Sequence, residues 1–142
     1  HDAVEPCGFC IHSSGIKLVI ATDIGHVSNS ALAMFSGSDL VMLESNHDVE
    51  MLRCGPYPWA LKQRIMGENG HLSNDAAAQA IGILAENGVR RFILGHLSRE
   101  NNFPELAWRT VYNTLAGKGI VPGLDVHLEV APRDSLSSII TL

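Results

Sequence analysis

Two carboxylates and three histidines stand where a protein of this kind could build a metal site. Asp23, Glu44 and His96 each follow an apolar run that predicts a strand, and open α/β sheets gather their ligands at the carboxyl ends of strands. His1 opens the chain, and His71 precedes a predicted helix. Imidazole suits zinc, iron and manganese, and a carboxylate oxygen can bridge two ions. Taken singly, such side chains more often cap turns or hydrogen-bond within loops, so only the set indicates a metal site.

His71 has a second possible role. It lies just before the cap of a predicted helix, where exposed amides attract anions such as phosphate. An imidazole titrates near neutrality and can donate a proton to a leaving group, and Glu44 could orient it. The competing interpretation is a histidine in a surface loop. The residues alone leave both interpretations open.

The composition describes an ordinary globular domain. The chain has 142 residues, of which 46% are hydrophobic and 18% charged, with a net charge of -5. That charge argues against binding nucleic acid through overall basicity, so such contacts would need a local patch or bound cations. No apolar run approaches the roughly 18 residues that a membrane span needs. Three cysteines are an odd number, too few for a disulfide framework, and they fit a reducing compartment. We expect a cytoplasmic protein without membrane contacts.

Strand and helix patterns alternate along the chain and predict a single α/β unit over residues 1–142. The strongest helix pattern begins at Ser73 or Asn74, with small and aliphatic residues on one face, and ends at Asn87. Strands are predicted near residues 9–12, 17–22, 39–43, 89–95, 124–130 and 137–141. Further helices are predicted at 28–35, from a capping box at 45–48 to about 53, after Pro58 toward 65, and from Pro104 to about 115.

Two other groups of residues leave alternatives open. Cys7 and Cys10 have the spacing of a redox or zinc motif but lie in a predicted strand, which favours core cysteines. One stretch combines basic and aromatic side chains, and it could contact a nucleic-acid backbone or form a solvated helix. Its members are Arg53, Tyr57, Trp59, Lys62 and Arg64.

The remaining histidines divide by their neighbours in the sequence. His26 and His47 stand within three residues of Asp23 and Glu44, so they could support ligands or contact substrate. His12 and His127 lie within predicted strands, without ligand-like neighbours, and we expect them to face outward or to pack.

Four short motifs, taken in order, resemble the metallo-β-lactamase-fold hydrolases, specifically the YycJ/WalJ-like branch that is similar to tRNase Z and the β-CASP nucleases. They are ATDIG at 21–25, ESNHD at 44–48, GHLSN at 70–74 and HLS at 96–98. The resemblance implies that His1, Asp23 and His96 bind metal, with Asp23 bridging two divalent ions, zinc first and manganese or iron as alternatives. It implies that His71 and Glu44 protonate the leaving group.

The family's H-x-H-x-D-H motif, which carries the other metal ligands, does not occur in the sequence. The resemblance therefore implies the C-terminal half of an αββα sandwich, with a missing N-terminal half or self-association covering one sheet face. The expected function is hydrolysis of phosphodiesters in DNA or RNA, with two metals stabilising the attacking and leaving oxygens. The alternatives are a thioesterase or small-molecule phosphodiesterase of the same fold, and a non-catalytic α/β binding module.

Overall fold

A computed structural model describes residues 6–142, which form one five-stranded sheet with helices. The strands follow the chain order across the sheet, with β1 antiparallel to β2 and the other neighbouring pairs parallel. The strands are β1 Phe9–Ser13, β2 Ile16–Ala21, β3 Leu40–Glu44, β4 Arg91–Gly95 and β5 His127–Val130. The helices are α1 Asn29–Phe35, α2 Val49–Cys54, α3 Trp59–Met66, α4 Asn74–Glu86 and α5 Pro104–Gly117. The predicted α/β class is confirmed.

One face of the sheet carries the core. Alternate residues of β2, β3 and β4 are fully buried there, including Val19, Val41 and Phe92, and they pack with residues of α1, α4 and α5. The alternation follows from the two-residue period of a strand, which sends successive side chains to opposite faces. Helices α1 and α4 begin where the sequence predicts, because Ser28 and Ser73 accept bonds from the Ala31 and Ala76 N–H groups.

The opposite face of the sheet is apolar and lies outside the buried core cluster. Register places Phe9 beside Ile20, and Ile20 beside Met42, so all three share this face. Phe9 is 58% exposed, and the central members of the row are half-buried. An αββα sandwich would cover such a face with its second sheet, so the architecture is compatible with half of a metallo-β-lactamase sandwich.

Several details of the sequence prediction are wrong. Residues 137–141 form no strand, because that segment makes no backbone pairing with the sheet. Helix α2 is capped by Asp48, which accepts from the Met51 N–H, whereas Ser45 donates to Asn74 elsewhere. Cys7 and Cys10 are exposed and are not core residues; Cys10 lies in β1, which is exposed along its whole length, and Cys7 precedes that strand. Among residues 6–142, no helix is both long and apolar enough to cross a membrane.

Candidate metal and catalytic site

Asp23, Glu44, His71 and His96 converge at the carboxyl edge of the sheet. Glu44 Oε1 lies 2.7 Å from His71 Nδ1 and 2.8 Å from His96 Nδ1. Asp23 Oδ1 lies 3.8 Å from His71 Nδ1 and 3.7 Å from His96 Nδ1. Residues separated by as many as 73 positions in the sequence therefore form one cluster of carboxylates and imidazoles.

Strand ends position three of these side chains. Glu44 is the last residue of β3, His96 follows β4 directly, and Asp23 comes two residues after β2. Asp23 and His96 both adopt the left-handed backbone conformation, with φ of 56° and 57°. A residue with a side chain pays roughly 1–3 kcal/mol for such a conformation, which persists only where the surrounding structure enforces it. Strain of this kind at both positions supports a functional interpretation of the cluster.

Glu44 is the buried centre of the site. Its side chain has no solvent exposure, and besides the two imidazoles its Oε2 accepts the Ile24 N–H at 2.8 Å. Burial alone would raise the pKa of Glu44, but the bonds from His71, His96 and Ile24 outweigh burial and lower it. Glu44 is therefore an ionised acceptor that fixes both imidazole rings.

His96 is held as a partly exposed imidazole beside that carboxylate. The hydrogen bond to Glu44 raises the pKa of His96 against the effect of burial, and the Glu44 and Asp23 charges act in the same direction. The Arg133 guanidinium opposes the rise. With Nδ1 directed at a carboxylate, the other ring nitrogen, Nε2, is the one suited to ligation, as in carboxylate–histidine–metal arrangements.

A buried polar network holds the loops that carry Glu44 and His96. Asn46 donates to the His96 carbonyl at 3.0 Å and accepts from the Ser98 N–H at 2.7 Å, which ties the loop after β3 to the loop after β4. Asn102 donates to the backbone carbonyls of Ser45 and Asn46. Ser45 and Asn102 both donate to the Asn74 side chain, and Asn74 and Ser45 are fully buried. The network joins the starts of α4 and α5 to the site and enforces its strained backbone.

Two glycines of the motifs allow loops to meet. A Cβ at Gly25 would lie 1.9 Å from the Glu68 carbonyl oxygen, and a Cβ at Gly70 would lie 2.2 Å from that of Ile65. Both distances exclude any side chain. The ATDIG and GHLSN motifs thus contain glycine because the loops carrying Asp23 and His71 pack directly against backbone.

The donor set fits a divalent metal. One ligand atom from each of Asp23, Glu44, His71 and His96 can be chosen so that all lie within 4.8 Å of one another. Oxygen and imidazole nitrogen donors suit zinc, manganese and iron. Because Glu44 is fully buried and already accepts three hydrogen bonds, it is better suited to orienting the imidazoles than to ligation. His1, predicted as a ligand, lies outside the described residues.

Other residues that the sequence singled out lie away from the cluster or are already bonded. Lys62 is buried and donates to the Arg53 and Gly55 carbonyls, so it is no surface cation of the basic and aromatic stretch. His12 and His127 face outward, as predicted. The α4 start offers an anion few donors, since its Asn74, Ala76 and Ala77 N–H groups are bonded within the protein.

His47 is a buried neighbour of the site. It is 2% exposed, and its Nδ1 has no hydrogen-bond partner among the described residues. Burial, together with the nearby His71, lowers the pKa of His47 to about 4, although Glu44 and Asp48 act in the opposite direction. The imidazole is therefore neutral at pH 7.

This neutral imidazole predicts acid sensitivity of the fold. In the unfolded chain, His47 binds a proton below the ordinary histidine pKa of about 6.5, whereas in the folded protein it binds one only near pH 4. The contribution of His47 to the free energy of unfolding is therefore fully present above about pH 6.5 and is lost as the pH falls toward 4. The expected loss is about 3 kcal/mol. In denaturant unfolding between pH 7 and 4, the wild type should lose about 3 kcal/mol more stability than His47→Gln, while the raised pKa of His96 acts in the opposite direction in both proteins. His12→Gln, an exposed control, should match the wild type; an equal loss in His47→Gln would refute the assignment.

Sequence reasoning missed the supporting network. Ser45 and Asn46 belong to the ESNHD motif, which predicted a helix capping box and not a buried network, and Asn74 was predicted only as a helix cap. Asn102 carried no signal, because nothing local distinguishes it from any polar residue before a helix. The contact of Glu44 with His96 was also not predicted.

The chain forms a mostly parallel sheet with helices packed on its core face and a carboxylate–imidazole cluster at its carboxyl edge. These features define a mixed α/β protein that is compatible with half of a metallo-β-lactamase sandwich.

Two curated proteins are similar in sequence. Exodeoxyribonuclease YycJ of Bacillus anthracis is 42% identical over 129 residues, which is 89% of this chain and 49% of that protein. Exodeoxyribonuclease WalJ of Streptococcus pneumoniae is 42% identical over 139 residues, which is 98% of this chain and 52% of that protein.

The chain spans about half the length of the curated relatives it matches. No family model matches it. Identity of 42% over 98% of the chain nevertheless confirms the resemblance to the YycJ/WalJ-like branch, and the chain is a homologue of these proteins.

Proposed function

We propose that this chain is part of a metal-dependent exonuclease that hydrolyses phosphodiester bonds in DNA. The proposal rests on the cluster in which Asp23, His71 and His96 surround the buried carboxylate of Glu44. The names of the relatives YycJ and WalJ, both exodeoxyribonucleases, favour DNA over RNA and over small substrates.

Asp23 and His96 would bind the metal, with His1 as a further ligand. Two divalent ions would supply charge stabilisation for the attacking and the leaving oxygen, a role that suits zinc first and manganese or iron as alternatives. Asp23 and His96 offer one carboxylate and one imidazole, too few donors to hold two ions tightly. The remaining ligands would come from a part of the complete protein outside this chain.

His71 would give a proton to the leaving oxygen. Glu44 is ionised and lies 2.7 Å from His71 Nδ1, so it orients the ring and favours the tautomer with the proton on Nδ1. Protonation of His71 then places the second proton on Nε2, where it can be donated. A thioesterase needs the metal ligands but no such donor, because a thiolate leaves readily. The Glu44–His71 hydrogen bond orients this donor, as the Glu44–His96 bond orients a ligand, and the exodeoxyribonuclease names of the relatives favour phosphodiester hydrolysis.

The test is to assay the complete protein, including the sequence upstream of His1, on end-labelled DNA and on RNA of the same sequence. We expect stepwise loss of nucleotides from DNA, abolition by EDTA, and recovery on adding Zn²⁺ or Mn²⁺. If the metal-loaded protein hydrolyses neither DNA nor RNA, the proposed function is refuted. A metal-loaded protein that binds a partner without hydrolysing anything would support the binding module instead.

The open sheet face gives a further expectation for residues 1–142 in isolation. Apolar faces of this kind drive association, so the isolated chain should self-associate. It should also be essentially inactive, because it supplies too few ligands to hold two ions tightly. Sedimentation velocity over a range of concentrations should show dimers or larger species. The double variant Phe9→Ser, Ile11→Thr changes only exposed β1 residues of that face and should shift the chain toward monomer. A monomeric or fully active wild-type fragment would contradict this expectation.

A further inference from the structure

A cavity of about 710 Å³ opens beside His96, and we call it the Phe103 cavity. It lies between the loop after β4, the start of α5 and the segment after β5. Its lining includes His96, Arg99, Phe103, Arg133 and Asp134. Because His96 belongs to both the cavity and the carboxylate–imidazole cluster, a molecule in the cavity would extend directly from the reacting site.

Two arginines and one carboxylate, that of Asp134, give the cavity its charge. Arg133 donates a hydrogen bond to the Leu97 carbonyl. Its positive charge is close enough to His96 to lower the pKa of that imidazole, against the effect of Glu44. Arg99 lies 3.7 Å from Asp134, and both side chains are more than two-thirds exposed, so this pair is weak and can be displaced. Guanidinium groups present a planar fork of donors that matches phosphate oxygens.

One aromatic ring faces the same space. Phe103 is 47% exposed although it is a large hydrophobic residue, and it precedes α5 directly. Its backbone is fixed, since its N–H donates to the Asn102 side chain and its carbonyl accepts from Leu106. Exposed aromatic side chains on fixed backbone are typical platforms for stacking nucleic-acid bases.

We propose that the Phe103 cavity binds one nucleotide of the DNA strand next to the scissile bond, with its base on Phe103 and its phosphate at Arg99 and Arg133. This subsite rests on the proposed nuclease function. The combination of an aromatic plane and two guanidinium groups fits a nucleotide, and its place beside His96 fits a nucleotide of the cleaved strand. The stretch from Arg53 to Arg64 is a poorer candidate, because its Lys62 is consumed by two backbone carbonyls.

The test uses the complete protein and short single-stranded DNA. Phe103→Leu removes the ring while retaining an apolar side chain, and Phe103→Trp retains a stacking surface. We expect Phe103→Leu to raise KM by roughly tenfold or more with little change in kcat, and Phe103→Trp to stay near wild type. Equal KM values for the leucine, tryptophan and wild-type proteins would overturn the stacking role.

The phosphate contact has its own measurement. Arg99→Ala should weaken DNA binding and reduce the slope of log affinity against log salt by about 0.7, the value for one phosphate contact on a single strand. Lys118→Ala removes one positive charge near the far end of α5 and serves as the control, with little change expected. An Arg99→Ala slope equal to that of Lys118→Ala would overturn the phosphate contact.

The two levels of the proposal fail differently. If Asp23→Asn abolishes hydrolysis while the Phe103 and Arg99 variants match wild type, the subsite is wrong and the nuclease function stands. If the wild-type protein hydrolyses no DNA, the function itself is wrong.

Discussion

In the complete protein, Asp23→Asn and His96→Asn are expected to lower the rate of DNA hydrolysis by more than about a hundredfold. Loss of a residue that only hydrogen-bonds a metal ligand costs about 10- to 100-fold, and loss of the ligand itself should cost at least as much. Both wild-type residues have positive φ, and asparagine tolerates the left-handed region better than most residues do. Each variant therefore removes a ligand without adding backbone strain. Bound metal should fall in parallel with the rate, measured by elemental analysis of protein purified without added metal.

His127→Asn is the matched control for the histidine. His127 opens β5 at the opposite end of the strands, is exposed, and lies 3.2 Å from Glu129 Oε2. It should retain both metal and activity. If Asp23→Asn and His96→Asn keep full metal content and full rate, the metal assignment is wrong, whatever nuclease activity the protein has.

The second large effect concerns proton donation. His71→Asn and Glu44→Gln should each lower DNA hydrolysis by about 10²–10⁴-fold, the usual contribution of a positioned general acid. In the wild type, the two Glu44 oxygens accept hydrogen bonds from His71, His96 and Ile24. Glu44→Gln removes the negative charge and replaces one of these acceptor oxygens with an NH₂ donor. The His71 variant should retain more metal than the Asp23 and His96 variants, because the proposal gives His71 no ligand role.

A substrate with a better leaving group separates proton donation from metal binding. Bis(p-nitrophenyl) phosphate releases p-nitrophenolate, which needs no proton to depart. His71→Asn should therefore hydrolyse this substrate at close to the wild-type rate, whereas Asp23→Asn should fail on both substrates. Equal losses on DNA and on the p-nitrophenyl ester in His71→Asn would exclude the proton-donor role and leave His71 as a ligand or structural residue.

Local sequence signals determined most of the element boundaries. Ser28 and Ser73 begin helices because a hydroxyl can accept an N–H of the first turn, and Pro104 begins α5 because proline needs no partner there. Strand ends placed Asp23, Glu44 and His96 at one edge of the sheet, where the structure finds them. The assignment of Asp23 and His96 as metal ligands came from the family resemblance and not from spacing.

Other features of the site and the fold depend on contacts between residues far apart in the sequence, and only the tertiary structure shows them. Glu44 meets both His71 and His96 because β3 lies beside β4 and the loop before α4 folds over that edge. Lys62 is buried where it donates to two carbonyls at the end of α2, and residues 137–141 form no strand although β5 is an edge strand of the sheet. Hydrophobic periodicity reports which face of an element is buried. It carries no information about which distant polar group will complete a buried hydrogen bond, and in this protein such bonds hold the site together.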